Sequence, residues 1–240
     1  WVYVAWGDVP VIAGLFYGIK PAVTAIVLHA AHRIGSRALK NPVLWSIAAA
    51  AFVAIFALQV PFPLIVGIAA LTGWVGGRRW PAYFDGGSRH GAQARGHGPA
   101  LIDDDTPTPD HARFRWARLA WIVGIGGALW AAPMAVLTGL YGWQGAYTQM
   151  GWFFTKAAYL TFGGAYAVLP YIYQGAVDHY AWLTPVQMID GLALGETTPG
   201  PLIMVVAFVG FIGGYSHGLL GPDALFLAGA LAACIVTWFT

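Results

Sequence analysis

Residues 191–211 read Gly-Leu-Ala-Leu-Gly-Glu-Thr-Thr-Pro-Gly-Pro-Leu-Ile-Met-Val-Val-Ala-Phe-Val-Gly-Phe. The run is apolar enough to sit in a bilayer, yet its middle holds a carboxylate, two hydroxyls and a Pro-Gly-Pro. Pro199 and Pro201 lack N–H donors and Gly200 is a poor helix former, so a helix ending near Leu194 must break there. A new helix can begin at Pro199 or Pro201, where proline suits the first turn, with Thr197 or Thr198 as N-cap. The expected product is a half-helix whose positive end and unpaired N–H groups lie inside the membrane, an arrangement that binds anions. The alternative is a plain structural kink.

The membrane setting comes from composition. The chain is 58% hydrophobic and 9% charged, whereas a soluble domain carries about 25% charged residues. That deficit predicts an all-α, polytopic integral membrane protein with short, broken helices. A net charge of +2 gives no reason to expect a nucleic-acid partner. The one cysteine, Cys234, cannot form an intrachain disulfide. The chain opens on Trp1 without an initiator Met and ends on Trp238-Phe239-Thr240 inside an apolar run, so a fragment of a longer protein is expected.

Taken in order, Val9 to about Ile34 is the first long apolar run, and Lys20-Pro21 in its middle predicts a second broken helix. Pro42–Ala57 and Leu64–Gly77 form a hairpin around Pro61-Phe62-Pro63. Each arm is shorter than the roughly 20 residues of a full span. The hairpin's outer ends are basic, with Arg33, Arg37 and Lys40 on one side and Arg78, Arg79, Arg89 and Arg95 on the other, which places both in the cytoplasm. Residues 78–112 read as a flexible cytoplasmic linker, rich in Gly, Pro, His and Asp and without hydrophobic periodicity. His90, His97, His111 and Asp103–Asp105 there are read as solvated, so no metal site and no cofactor is expected. Trp116–Leu140 is the next helix, and Tyr141–Met150 an interfacial segment. An apolar stretch interrupted at Gly163-Gly164 follows. Val177–Leu192 reads as amphipathic, with Gln187 and Asp190 on one face, lining an access path or facing solvent. Leu220-Gly221-Pro222-Asp223 makes a turn before the final helix.

Charges at membrane depth are expensive and usually functional. Lys20 and Lys156 either neutralise a bound anion or pair with Glu196 when the site is empty; snorkelling to an interface is the alternative for each. Glu196, beside an anion site, is the candidate for proton coupling, since partial burial favours its protonated form. Gly163 and Gly164 either expose backbone N–H groups or let helices approach closely, and Tyr166 adds a hydroxyl to the same patch.

The stretch Thr161-Phe-Gly-Gly-Ala-Tyr-Ala-Val-Leu-Pro170, followed by Trp182-Leu-Thr-Pro-Val-Gln-Met-Ile-Asp-Gly-Leu-Ala-Leu-Gly-Glu-Thr-Thr-Pro-Gly-Pro201, resembles the chromate ion transporter (CHR) family. Gly18-Ile-Lys-Pro-Ala-Val23 is similar to a later part of a family half. The resemblance implies two related halves, both incomplete here. Residues 1–77 correspond to the end of the first membrane half and 113–240 to the start of the second. It implies secondary active efflux of chromate, with sulfate as an analogue, across the cell's inner (plasma) membrane, conferring chromate resistance. The site it implies is Phe162, Gly163, Gly164, Tyr166, Thr197, Thr198, Pro199, Gly200 and Pro201, with Lys20 and Lys156 as cations and Glu196 as proton carrier. The expected partners are a chromate- or sulfate-like oxyanion and the lipid bilayer, and a homodimer is left open. A passive anion channel or a transporter of another oxyanion is the alternative. No enzyme is expected: Gly214-Tyr-Ser-His-Gly218 has the letters of a nucleophile elbow, but an apolar membrane run supplies no strand before it.

Overall fold

In the computed structural model, residues 2–84, 114–161, 165–198 and 200–240 are described. The linker histidines and aspartates, together with Phe162, Gly163, Gly164 and Pro199, lie outside the described residues. The architecture is helical throughout, with no strand among the described residues. Helix α1 spans Val2–Trp6 and α2 Pro10–Ala38. The hairpin arms are α3, Pro42–Phe56, and α4, Phe62–Arg79, followed by the short α5, Pro81–Phe84. Then come α6, Trp116–Tyr141, α7, Ala146–Leu160, and α8, Ala165–Tyr173. Helix α9 covers Pro185–Glu196, α10 Pro201–Ser216 and α11 Leu225–Trp238.

Two helices, α2 and α6, are long and apolar enough to cross a membrane, and 6% of each apolar window is buried. Their surfaces carry large apolar side chains such as Leu15, Leu28, Trp121 and Ile122, all exposed. Water would penalise such a surface, whereas a bilayer would not. The hairpin α3–α4 begins with Asn41, whose side chain accepts from the Leu44 amide at 2.9 Å.

The expected break at Lys20-Pro21 is absent: α2 runs unbroken through Pro21. Proline removes one N–H bond and crowds one carbonyl, but long helices absorb this where neighbouring groups repair the ladder. The carbonyl that Pro21 leaves without a donor is that of Tyr17; the Thr24 hydroxyl donates to the Lys20 carbonyl at 2.9 Å, beside that gap and not across it. The interfacial segment expected at Tyr141–Met150 is also partly helix, because α7 starts at Ala146 and buries Tyr147, Thr148 and Met150.

The buried core belongs mainly to residues from Met134 onward: Met150, Phe153, Phe154, Ile172, Val206, Val209 and Ile212 are among its members. Its tightest contact is between α10 and α11. A Cβ added at Gly214 would lie 2.5 Å from the Ala228 carbonyl oxygen, and one at Gly229 2.8 Å from that of Phe211. Small residues thus let two apolar helices meet backbone to backbone, the membrane route to helix association. Tyr147 pins α7 to the same pair by donating to the Ala228 carbonyl at 3.1 Å.

A cross-link ties the α3–α4 hairpin tip to the later helices. Gln174 opens a π-helical turn, Gln174–His179. Its Oε1 accepts from the Phe62 amide at 2.9 Å and its Nε2 donates to the Val60 carbonyl at 3.0 Å. One side chain therefore satisfies an orphan donor at the start of α4 and an acceptor in the tip.

Candidate anion site

Thr184 and Pro185 start α9 with a reciprocal capping box: the Gln187 amide donates to Thr184 Oγ1 at 3.3 Å, and Gln187 Oε1 accepts from the Thr184 amide at 2.8 Å. The helix runs to Glu196 and stops. The chain turns at Thr197 and Thr198, and Gly200 sits at φ 85°, ψ 58°, the left-handed region that glycine enters at no steric cost. Helix α10 then starts with Pro201 in its first turn. The break expected from Pro-Gly-Pro is therefore present.

Its capping differs from expectation. Gly200, not a threonine, is the N-cap of α10, and no side chain caps that end. The threonine hydroxyls turn backward: Thr197 donates to the Leu194 carbonyl at 2.8 Å and Thr198 to the Gly195 carbonyl at 2.9 Å. They satisfy acceptors at the end of α9, while among the described residues no side chain caps the first amides of α10. The physical reason is proximity: a threonine one or two residues past a helix reaches carbonyls three or four back more readily than amides beyond two prolines.

Glu196 is half-buried, and its Oε2 accepts from the Tyr166 hydroxyl at 2.9 Å. Tyr166 lies in the first turn of α8, just past the Phe162-Gly163-Gly164 segment. The structure thus joins the two motif regions through one charge-assisted hydrogen bond. Neither lysine makes an ion pair with Glu196. Beside Thr198, a groove of about 600 Å³ runs between α1, α2 and α10, walled by Val11, Phe16, Leu194, Met204 and Phe208.

Lys20 has a different partner. Its Nζ lies 2.8 Å from Asp190 Oδ1, and the Tyr3 hydroxyl donates to Oδ2 at 2.8 Å. The Asp190 side chain is 5% exposed and that of Lys20 32%. Asp190 is therefore not on a solvated face with Gln187, as the amphipathic pattern suggested. It faces α2, and its buried charge is balanced by an ammonium. The pair borders a polar cavity of about 360 Å³, also lined by Asp8 and Tyr17. Tyr3 packs edge-on against Phe16 and Phe208, wedging α1 between α2 and α10.

Lys156 stands apart. Its ammonium is 5.8 Å from the centre of the Trp152 ring, within cation–π range. It lines a cavity of about 490 Å³ with Gln59, Tyr171, Gln174, Asp178 and His179. The candidate residues therefore fall into three places: the break with Tyr166 and Glu196, the Lys20–Asp190 pair, and the Lys156 cavity.

Sequence reasoning missed Tyr3 and the role of Asp190. A signal was present, since a lysine in an apolar run requires a counter-charge, and Asp190 is one of few carboxylates in an apolar neighbourhood. Gln174 was missed as well. Nothing in its local sequence announces contact with a turn more than a hundred positions earlier.

The family profile described as "Chromate transporter" matches residues 1–74 and 148–240. A chromate transport protein of Pseudomonas aeruginosa is 31% identical over 214 residues, covering 88% of this chain and 42% of that protein. One of Cupriavidus metallidurans is 26% identical over 231 residues, covering 95% of this chain and 48% of its own length. The chain spans about half the length of these relatives. No solved structure matches the chain.

Proposed function

The chain belongs to the chromate transporter family, and on that premise we propose that it carries chromate out across the inner membrane by secondary active transport, with sulfate accepted as an analogue. Members of that family are membrane proteins and transporters rather than enzymes. The observation that supports the anion reading most is the uncapped start of α10 at Gly200-Pro201.

Chromate is a tetrahedral dianion, and a membrane site for it must replace lost hydration with fixed donors. The amides at the start of α10 point toward the break, and the helix dipole places partial positive charge there. Gly200 allows close backbone approach, and Pro201 fixes φ in the first turn of α10. The Thr197 and Thr198 hydroxyls, and the amides of Gly163 and Gly164 beside Phe162, complete the proposed donor set once the threonines turn from their carbonyls. Tyr166 leaves Glu196 to join them when Glu196 is protonated, which makes Glu196 the proton carrier closest to the break. Lys156 offers the anion a cationic station in its own cavity. Lys20 serves as the other cation only when it parts from Asp190.

The test is uptake of labelled chromate into inside-out vesicles from cells expressing the protein from its complete coding region. The proposal expects saturable uptake, inhibited by excess sulfate and altered by an imposed pH gradient. Uptake indifferent to the gradient supports a passive pathway instead, and no uptake above empty vesicles refutes the proposed substrate.

A further inference from the structure

Asp190 is the most deeply buried carboxylate among the described residues, and two elements distant in sequence meet on it. Tyr3 comes from α1 and Lys20 from α2, while Asp190 itself lies in α9, six positions before the residue that ends that helix. The two sides also fall in the two separate segments matched by the family profile, 1–74 and 148–240. The titratable and charged groups facing Asp190 are Tyr3, Lys20 and, across the cavity, Tyr17 and Asp8; α10 presents only the Phe208 ring, to neighbouring Gly191.

We infer that Asp190, with Lys20 as its exchangeable partner, is the coupling site of this transporter, where a proton replaces the ammonium as the anion is taken up. The inference rests on the proposed function and adds this pair to Glu196 in its coupling step.

The geometry supports the exchange in three ways. Lys20 and Asp190 both line the cavity, and at 32% against 5% exposure the ammonium is the more accessible of the two to an anion. Once the ammonium leaves, a carboxylate buried at this depth has no counter-charge, and a proton is the smallest group that removes the penalty. Tyr3 remains in place to bond the carboxyl in either state, since a hydroxyl both donates and accepts. Charge balances throughout: one proton reaches Asp190 for each ammonium released to the anion. Pro21 adds freedom at the right place, because α2 lacks one backbone N–H bond immediately after Lys20. Release of Lys20 also unfastens α9 from α2, and α9 leads directly into the break.

The experiment compares chromate uptake into inside-out vesicles, with and without a pH gradient, for the protein expressed from its complete coding region and two variants. In Asp190→Asn the carboxyl keeps its shape but loses its titration. The expected result is uptake that persists but responds less than twofold to a gradient that changes wild-type uptake about tenfold. The triple variant Tyr3→Phe, Lys20→Met, Asp190→Leu replaces the pair by apolar groups, and is expected to keep the wild-type unfolding temperature in detergent while losing more than nine-tenths of uptake. A wild-type gradient response in Asp190→Asn, or wild-type uptake in the triple variant, overturns the inference and leaves the proposed function standing. A wild-type protein that carries no chromate overturns both.

Discussion

Gly200 and Asp190 are single residues whose surroundings dictate their chemistry. At Gly200, φ is 85°, where a Cβ is strained even in open space. Gly200→Ala is expected to cost about 1–2 kcal/mol, the penalty of a left-handed L-residue. The loss is read from thermal unfolding in detergent, alongside weaker sulfate binding at the adjoining amides. Asp190→Ala removes the counter-charge paired with the Lys20 ammonium, with an expected cost near the lower end of the roughly 3–5 kcal/mol for breaking a buried pair, because Lys20 is part-exposed. An unchanged unfolding temperature for Asp190→Ala would mean that Lys20 finds water or another acceptor. The Glu-Thr-Thr-Pro-Gly-Pro letters were enough to place the turn at Gly200, because proline and glycine act locally. The ion pair was not legible, because its partner lies at the other end of the chain and only tertiary packing selects it.

Among the elements, the broken helix α9–α10 and the unbroken helix α2 answer the same sequence signal differently. Pro-Gly-Pro stacks two missing donors and a flexible residue within three positions, and the helix cannot bridge them. Pro21 stands alone in a 29-residue helix, which loses one bond there and keeps its course. Weighing the lysine and proline without the long flanking helix is what suggested a break at Lys20-Pro21. The α3–α4 hairpin, α6 and the α10–α11 turn at Gly221-Pro222 were all readable from apolar runs and their punctuation. The close approach of α10 and α11 carries its own prediction. Gly214→Leu must push the helices apart, at about 1–3 kcal/mol or more for overpacking. Size-exclusion profiles should broaden and Tyr147 should lose its bond to Ala228. A monodisperse Gly214→Leu protein of wild-type stability would show that this contact yields freely. At the other end of α9, Thr184→Ala removes the capping box and is expected to cost about 1 kcal/mol.

Across the whole molecule, the core is built by the later helices, while α2, α3, α4 and α6 turn broad apolar faces outward. That is the distribution expected of a chain whose solvent is lipid, where helices meet through small residues and paired polar groups rather than by fleeing water. Composition alone made this class legible; which helices meet was not, since apolar faces all look alike in sequence. The central claim is that the backbone breaks between α9 and α10 at a place water and anions reach. It is tested by Thr198→Cys in a Cys234→Ser background, leaving one thiol at the break. The probe is a small charged methanethiosulfonate, and sulfate serves as a non-oxidising stand-in for chromate. The account predicts that the thiol reacts, and that saturating sulfate but not chloride slows the reaction at least fivefold. A thiol that reacts at the same rate with and without sulfate, or does not react at all in the folded protein, would contradict it.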